Sequence, residues 1–285
     1  MRVALTIAGS DPGGGAGIQA DLKTFAALGV YGASAIAAIT VQNTLGVEAV
    51  APLSADLVTS QIEAIAGDLS IDATKTGMLA TAAIVEAVAA AIAELDLPLV
   101  VVDPVLVSTS GERLLDADGV QAMITELLPR ARVVTPNVPE AEALSGRRIS
   151  SAEDARDAAR AIRDMGAAAV IITGGHVSGS GFEVPGSGFG VERAEDEVVD
   201  LLFDGHTFHE LRAPRIDSRH THGTGCTFAS AVAAGLALGH NLADAAQRAQ
   251  RYVAGAIAHA PGLGHGRGPL DHFWESKVLK SNLEP

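Results

Sequence analysis

Residues 220–231 read HTHGTGCTFASA and hold the only cysteine of the 285-residue chain, Cys226. The thiol follows a Gly-Thr-Gly turn and opens an alanine-rich apolar run, the pattern of a tight turn feeding a helix. Gly223 and Gly225 permit unusual backbone geometry there. The unpaired N–H groups of a first helical turn attract an anion, and phosphate is the natural guest. A thiol in that electropositive end has a lowered pKa. Read alone, a lone cysteine at a helix start is first a small buried hydrophobe, and Thr-Gly is an ordinary helix start.

Three further stretches carry residue types suited to chemistry. SDPGGGAGIQAD (10–21) is a second glycine-rich loop entering a helix. It lacks the Gly-Lys-Ser/Thr of a P-loop and a clean G-x-G-x-x-G, so it reads as a loop in close approach to a small substrate. TPNVPEAEAL (135–144) sets Asn137 and Glu140 three apart at a helix start, where both can face one ligand or cation. The same spacing also describes an N-cap followed by a first-turn acid. VVDPVLVSTSG (101–111) ends a strand at Asp103 before a Ser/Thr/Gly segment that could serve as a lid.

The elements that must position these residues alternate regularly. Strands are expected over 2–9, 32–43, 72–79, 98–105, 131–137 and 168–176, with helices near 15–28, 54–67 and 81–95 and others between the later strands. VVDLLFDGHTFHEL (198–211) reads as a hairpin around Asp-Gly, and 223–260 as two helices broken near Gly239–Asn241. Unbroken apolar strands between helices predict a mainly parallel sheet covered on both faces. Polar residues end several strands: Gly9–Asp11, Gln42–Asn43, Lys75–Met78, Asp103, Asn137 and Gly174–His176. In such sheets the ligand crevice lies outside that edge, so six polar ends together predict a site there.

With aromatics at 4% and 31 glycines, Ala, Val, Ile and Leu must fill the core. Residues 1–285 are expected to form one domain, with 177–197 a mobile, glycine-rich surface insertion and 261–285 a C-terminal tail. One cysteine excludes an internal disulfide framework and a cysteine-rich metal site. The formal net charge of −14 argues against nucleic acid and anionic membranes as partners, though a local nest of N–H groups can still bind a phosphorylated small molecule. The N-terminal apolar run is too short for a signal peptide and no run is long enough to span a bilayer, so a cytoplasmic protein is expected.

As one ordered set, LTIAGSDPGGGAGIQADLKTF, ITVQNTLGV, TKTGML, VVDPV, TPNVPEAE, TGGH and HTHGTGCTFASA resemble the ribokinase-like superfamily. Within it they resemble the bacterial hydroxymethylpyrimidine/phosphomethylpyrimidine kinases of thiamine biosynthesis. The resemblance covers about residues 3–260, with 177–197 as an insertion. It implies a three-layer α/β/α sandwich, a homodimer, and ATP and Mg²⁺ as cofactors. The implied reaction phosphorylates the hydroxymethyl group of 4-amino-5-hydroxymethyl-2-methylpyrimidine, then converts the monophosphate to the diphosphate.

By that resemblance Cys226 stands where the superfamily has an aspartate base, and Gly223, Thr224 and Gly225 donate N–H groups to the transferring phosphoryl. Gln42 matches the position that reads the aminopyrimidine, because an amide offers a donor beside an acceptor. Ala16, Met78 and Val105 match positions lining the ring, and Asp21 is placed on the substrate side with them. Asn137, Glu140, Thr173 and Gly175 fall on the nucleotide side, and Asp103 and Glu140 are expected to hold Mg²⁺ largely through water. Two positions depart from the pattern. Thr173 replaces a common lysine, and the helix after the cysteine reads AQRAQRYV, where Arg248 or Arg251 could substitute for another lysine. The competing readings are a pyridoxal kinase, whose variant lid cysteine is absent from Val107–Ser110, and a non-catalytic pyrimidine-binding sensor.

Overall fold

The computed structural model describes residues 1–108, 111–175 and 197–281. Its strands are β1 (Val3–Ser10), β2 (Tyr31–Asn43), β3 (Gly46–Pro52), β4 (Ala73–Thr76), β5 (Val100–Val102), β6 (Val133–Val134), β7 (Val170–Gly175), β8 (Glu197–Phe203) and β9 (Phe208–Pro214). Its α-helices are α1 (Gly17–Ala27), α2 (Ala55–Ala66), α3 (Ala82–Glu94), α4 (Ala117–Ala122), α5 (Val138–Ser145), α6 (Ala152–Asp164), α7 (Thr224–Ala237), α8 (Leu242–Ala258) and α9 (Trp274–Ser281). Among the described residues no helix is long and apolar enough to cross a membrane.

All the strands join one sheet in the order β3-β2-β1-β4-β5-β6-β7-β8-β9. Strands β2 through β7 of that order run parallel, while β3 pairs antiparallel with β2 at one edge and, at the other, β8 pairs antiparallel with both β7 and β9. Successive side chains of a strand point to opposite faces, and the sequence fills both. Val100 and Val102 of β5 enter the core shared with α2, α3, α5 and α6, whereas Val101 enters the core shared with α1, α7 and α8. Two apolar layers of this kind require helices on each side, and the result is a three-layer α/β/α sandwich.

The structure differs from the sequence reading in two places. Strand β3 was not expected, because an edge strand with little burial shows no apolar alternation to betray it. Residues 261–281 are no loose tail: Leu270, Asp271 and His272 are buried, the Tyr252 hydroxyl donates to the His272 carbonyl at 2.6 Å, and Trp274 stacks on His259. The expected insertion at 177–197 lies outside the described residues except for Glu197, which opens β8.

Candidate active site

From β1 the chain moves to β2 on one side, and its next parallel strand, β4, lies on the other side of β1. That reversal is a topological switch point, where a crevice opens outside the carboxyl ends of the strands. A cavity of about 980 Å³ lies there. It gathers Ala16, Gln42, Met78, Asp103, Val105, Asn137, Glu140, Thr173, Gly223, Thr224, Gly225 and Cys226, which the sequence reading had assigned to one site. Gly175 closes β7 one residue beyond the cavity-lining Gly174. Asp21 is the exception: it is fully buried beneath the cavity and does not line it.

The turn before α7 is built by contact with the first glycine loop. Gly223 has φ +83°, and a Cβ on it would lie 1.8 Å from the Gly15 carbonyl oxygen, so no larger residue fits. Gly223 is also the N-cap of α7 and supplies no side-chain cap. The Thr224 N–H and hydroxyl both turn back to the Thr221 carbonyl oxygen, at 3.3 Å and 2.7 Å. Thr224 is therefore spent on the turn. The N–H groups of Gly225 and Cys226 make no backbone hydrogen bond among the described residues, and they are the first-turn donors left to meet an anion.

Cys226 keeps partial exposure to the cavity. The Asp103 carboxyl and the Gly17 N–H both act electrostatically on its thiol. Burial pushes the thiol pKa up to about 12; Lys75 and the Gly17 N–H work the other way but are outweighed, and Asp103 and Asp21 add to the rise. The lowered pKa expected from the helix N-terminus is thus overturned by desolvation and two carboxylates.

Beneath the thiol lies an ion pair that sequence reasoning missed. Lys75 Nζ sits 3.0 Å from both Asp21 oxygens and 3.8 Å from Asp103 Oδ2, with no exposure of its side chain. Asp21 also accepts from the Thr6 and Ser230 hydroxyls, each at 2.6 Å. The available signal was a lysine inside a strand otherwise buried on both faces, which demands a buried counter-charge.

Asn137 caps α5 and Glu140 returns the bond in a capping box. Glu140 Oε2 accepts the Asn137 N–H at 3.0 Å and Oε1 accepts the Leu106 N–H at 3.1 Å, so this acid fixes the loop after β5 as well as the helix. Val105 in that loop holds φ +45°, a strained conformation for a β-branched residue. Burial raises Glu140 to about 7, helped by Asp103, and burial raises Asp103 to about 6 despite Lys75. Asp103 Oδ2 is buried without a hydrogen-bond partner. Two carboxylates that disfavour each other's charge, one with an orphan oxygen, suit a hydrated divalent cation; among the described residues no cluster of three acids, histidines or cysteines would bind one directly.

At the other end of the cavity Asp200 accepts from the Gly174 N–H and from Gln250, both at 2.9 Å. Gln250, Val253, Ala254 and Ile257 of α8 line this lobe. Arg248 and Arg251, by contrast, are exposed and do not line it. Helical periodicity puts them on the outer face, so neither replaces the missing lysine.

An anion-binding helix start at the switch point of a ribokinase-like sandwich, with a thiol and two carboxylates at its mouth, defines a small-molecule phosphotransferase. Comparison with known proteins is specific. The chain matches the family described as phosphomethylpyrimidine kinase over residues 11–271 and belongs to it. It is 50% identical to a hydroxymethylpyrimidine/phosphomethylpyrimidine kinase of Rhizobium meliloti, over 95% of this chain and 97% of that one. The enzyme of the same name from Bacillus subtilis is 47% identical, over 95% and 94%. Among solved structures, the Staphylococcus aureus pyridoxal kinase in complex with AMP-PCP and pyridoxal superimposes with a TM-score of 0.84 at 38% identity, covering 98% of this chain and 96% of that one.

Proposed function

We propose that this chain is the ATP-dependent kinase that phosphorylates 4-amino-5-hydroxymethyl-2-methylpyrimidine and then its monophosphate, supplying the pyrimidine diphosphate of thiamine biosynthesis. The observation that carries the reading is the meeting of Cys226, at the open start of α7, with Gln42 in one cavity. Around it stands 47–50% identity to kinases bearing that name.

In this reading the pyrimidine lies among Ala16, Met78 and Val105, with its polar edge on Gln42 and its hydroxymethyl arm toward Cys226. Cys226 accepts the hydroxyl proton as oxygen attacks the γ-phosphoryl. The N–H groups of Gly223, Gly225 and Cys226 take up charge on the transferring group. The thiolate this needs is opposed by burial and by Asp103 and Asp21, and supported by Lys75. Asn137, Thr173 and Gly175 stand on the nucleotide side. Asp103 and Glu140 would hold Mg²⁺ through water, and the ion would supply charge neutralisation for the phosphates. A homodimer and a cytoplasmic location belong to the same reading; light scattering on the purified chain tests the first.

A steady-state assay with Mg-ATP and the pyrimidine alcohol, quantifying mono- and diphosphate separately, should give both products. Pyridoxal is the alternative acceptor, favoured by the likeness to pyridoxal kinases. A kcat/KM for pyridoxal equal to or above that for the pyrimidine would overturn the assignment. Tight pyrimidine binding without any turnover would indicate a sensor instead.

A further inference from the structure

Three polar side chains join the two glycine loops to the wall that faces the ring. Asp11 carries the first loop: its carboxylate accepts the N–H groups of Gly13, Gly15 and Ala16 at 2.8, 3.1 and 2.9 Å. His222 Nε2, from the loop that leads to Cys226, lies 2.9 Å from Asp11 Oδ2. Gln42 Nε2 lies 3.2 Å from His222 Nε2, and Gln42 Oε1 lies 3.2 Å from the Thr40 hydroxyl. All three residues line the cavity, and Asp11 is buried.

Counting protons fixes which end of the amide faces which neighbour. Burial pushes the Asp11 carboxyl up, but the hydrogen bonds from His222, Gly13 and Ala16 together hold it below its ordinary value, so it is ionised and only accepts. The shared hydrogen must then sit on His222 Nε2. An Nε2–H cannot accept from an amide NH₂, so the oxygen of Gln42 belongs on the His222 side. The other end agrees independently. The single hydroxyl proton of Thr40 has two acceptors in reach, the Ser10 carbonyl at 3.0 Å and Gln42 Oε1 at 3.2 Å; given to the nearer one, it leaves Thr40 Oγ1 an acceptor for the Gln42 NH₂. This is the half-turn of the orientation in which Nε2 faces His222 and Oε1 faces Thr40; an amide's two ends exchange by such a half-turn, and both neighbours select it.

We infer that Asp11 and His222 form a positioning relay that locks the Gln42 amide with oxygen toward the catalytic loop and nitrogen away from it, and thereby sets substrate specificity. The inference rests on the proposed pyrimidine substrate. In that molecule the 4-amino group stands between the ring nitrogen and the hydroxymethyl arm. An arm directed at Cys226 puts the amine on the His222 side, where Gln42 offers oxygen, and the ring nitrogen on the Thr40 side, where it offers N–H. A ring with a carbonyl next to the hydroxymethyl arm, as in pyridoxal or a 4-oxo pyrimidine, meets oxygen with oxygen. The relay residues touch Gln42 and the loops, not the reacting atoms.

The test has two arms on the full chain. Imidazole ¹³C and ¹⁵N shifts of His222 should show a protonated Nε2 in the wild type; an Nδ1–H tautomer with a bare Nε2 would overturn the relay. In kinetics, the wild type should prefer the 4-amino over the 4-oxo pyrimidine by about 10²-fold or more in kcat/KM. His222→Leu should raise KM for the amine more than it lowers kcat and reduce the preference about tenfold or more. His222→Gln, which restores an NH₂ able to donate to both Asp11 and Gln42, should recover most of it. Unchanged preference in His222→Leu overturns the inference. A wild type that phosphorylates neither pyrimidine, with His222 still protonated at Nε2, would instead sink the substrate assignment and leave the relay geometry standing.

Discussion

The Lys75 ammonium bridges both oxygens of Asp21 at 3.0 Å, and neither side chain has any exposure. Taking one partner from such a pair leaves a buried, uncompensated charge, whereas replacing both costs far less. Asp103, 3.8 Å from Lys75, would be stranded with Asp21 if the lysine were lost. Lys75→Met should therefore destabilise the chain by about 3–5 kcal/mol in urea unfolding. The double variant Lys75→Met/Asp21→Asn should lose clearly less stability than the sum of the two single losses. Additive losses would show that the pair contributes no coupling.

Cys226→Ala should lower kcat by about 10²-fold or more while leaving pyrimidine affinity nearly intact, the usual scale for loss of a general base. Near-normal turnover would remove the thiol from the reaction. The raised thiol pKa makes a separate forecast for the free enzyme. Iodoacetamide attacks thiolate, so alkylation of Cys226 should stay far slower than that of an unhindered thiol from neutral pH to about 9. Rapid labelling at neutral pH would show that Lys75 and the helix start prevail over burial.

The layered fold was legible because its strands are continuous Val/Ile/Ala runs and its helices carry ordinary caps, so local preference and global packing agree. The site was legible wherever a polar residue ended a strand, as at Gln42, Asp103 and Asn137. What escaped was pairing across the fold. No spacing links Asp21 to Lys75, 54 positions apart, or Asp11 to His222, 211 apart. Desolvation escaped as well: burial sets the direction of the Cys226 shift, and Asp103, just after β5, and Asp21 of α1 add to it. The residues assigned through the resemblance to a kinase family line one cavity apart from Gly175, just beyond it, and Asp21, which was placed on the substrate side and which packing makes the counter-ion of Lys75.

Gly223 and Gly225 look alike in the motif and should behave differently. An alanine at 223 must adopt φ +83° and place its Cβ 1.8 Å from the Gly15 carbonyl oxygen, which forces the two glycine loops apart. Open space surrounds the position of a Cβ on Gly225. Gly223→Ala should lower both the melting temperature and kcat. Gly225→Ala should melt close to the wild type, and any loss should be confined to phosphoryl transfer. Equal melting temperatures for the two variants would contradict the interlocked loops.

The raised carboxylates predict how the ligand-free protein responds to pH. Burial moves Asp103 to about 6, Glu140 to about 7 and Asp200 to about 6, from ordinary values near 4. Between those limits the folded state binds more protons than the unfolded state, so stability falls as pH rises. Carboxylates held below their ordinary values, Asp11 among them, and Asp204, which lies at about 2, act oppositely, and their contribution is lost only as pH falls below about 4. The melting temperature should therefore be highest in mild acid and decline between pH of about 5 and about 8. Salt separates this from repulsion among the 34 surface and buried acids of a chain with net charge −14. Buried groups are poorly screened, so the decline should persist in about 0.5 M salt. A profile flattened by salt would assign the slope to surface charge and leave the cavity carboxylates out of it.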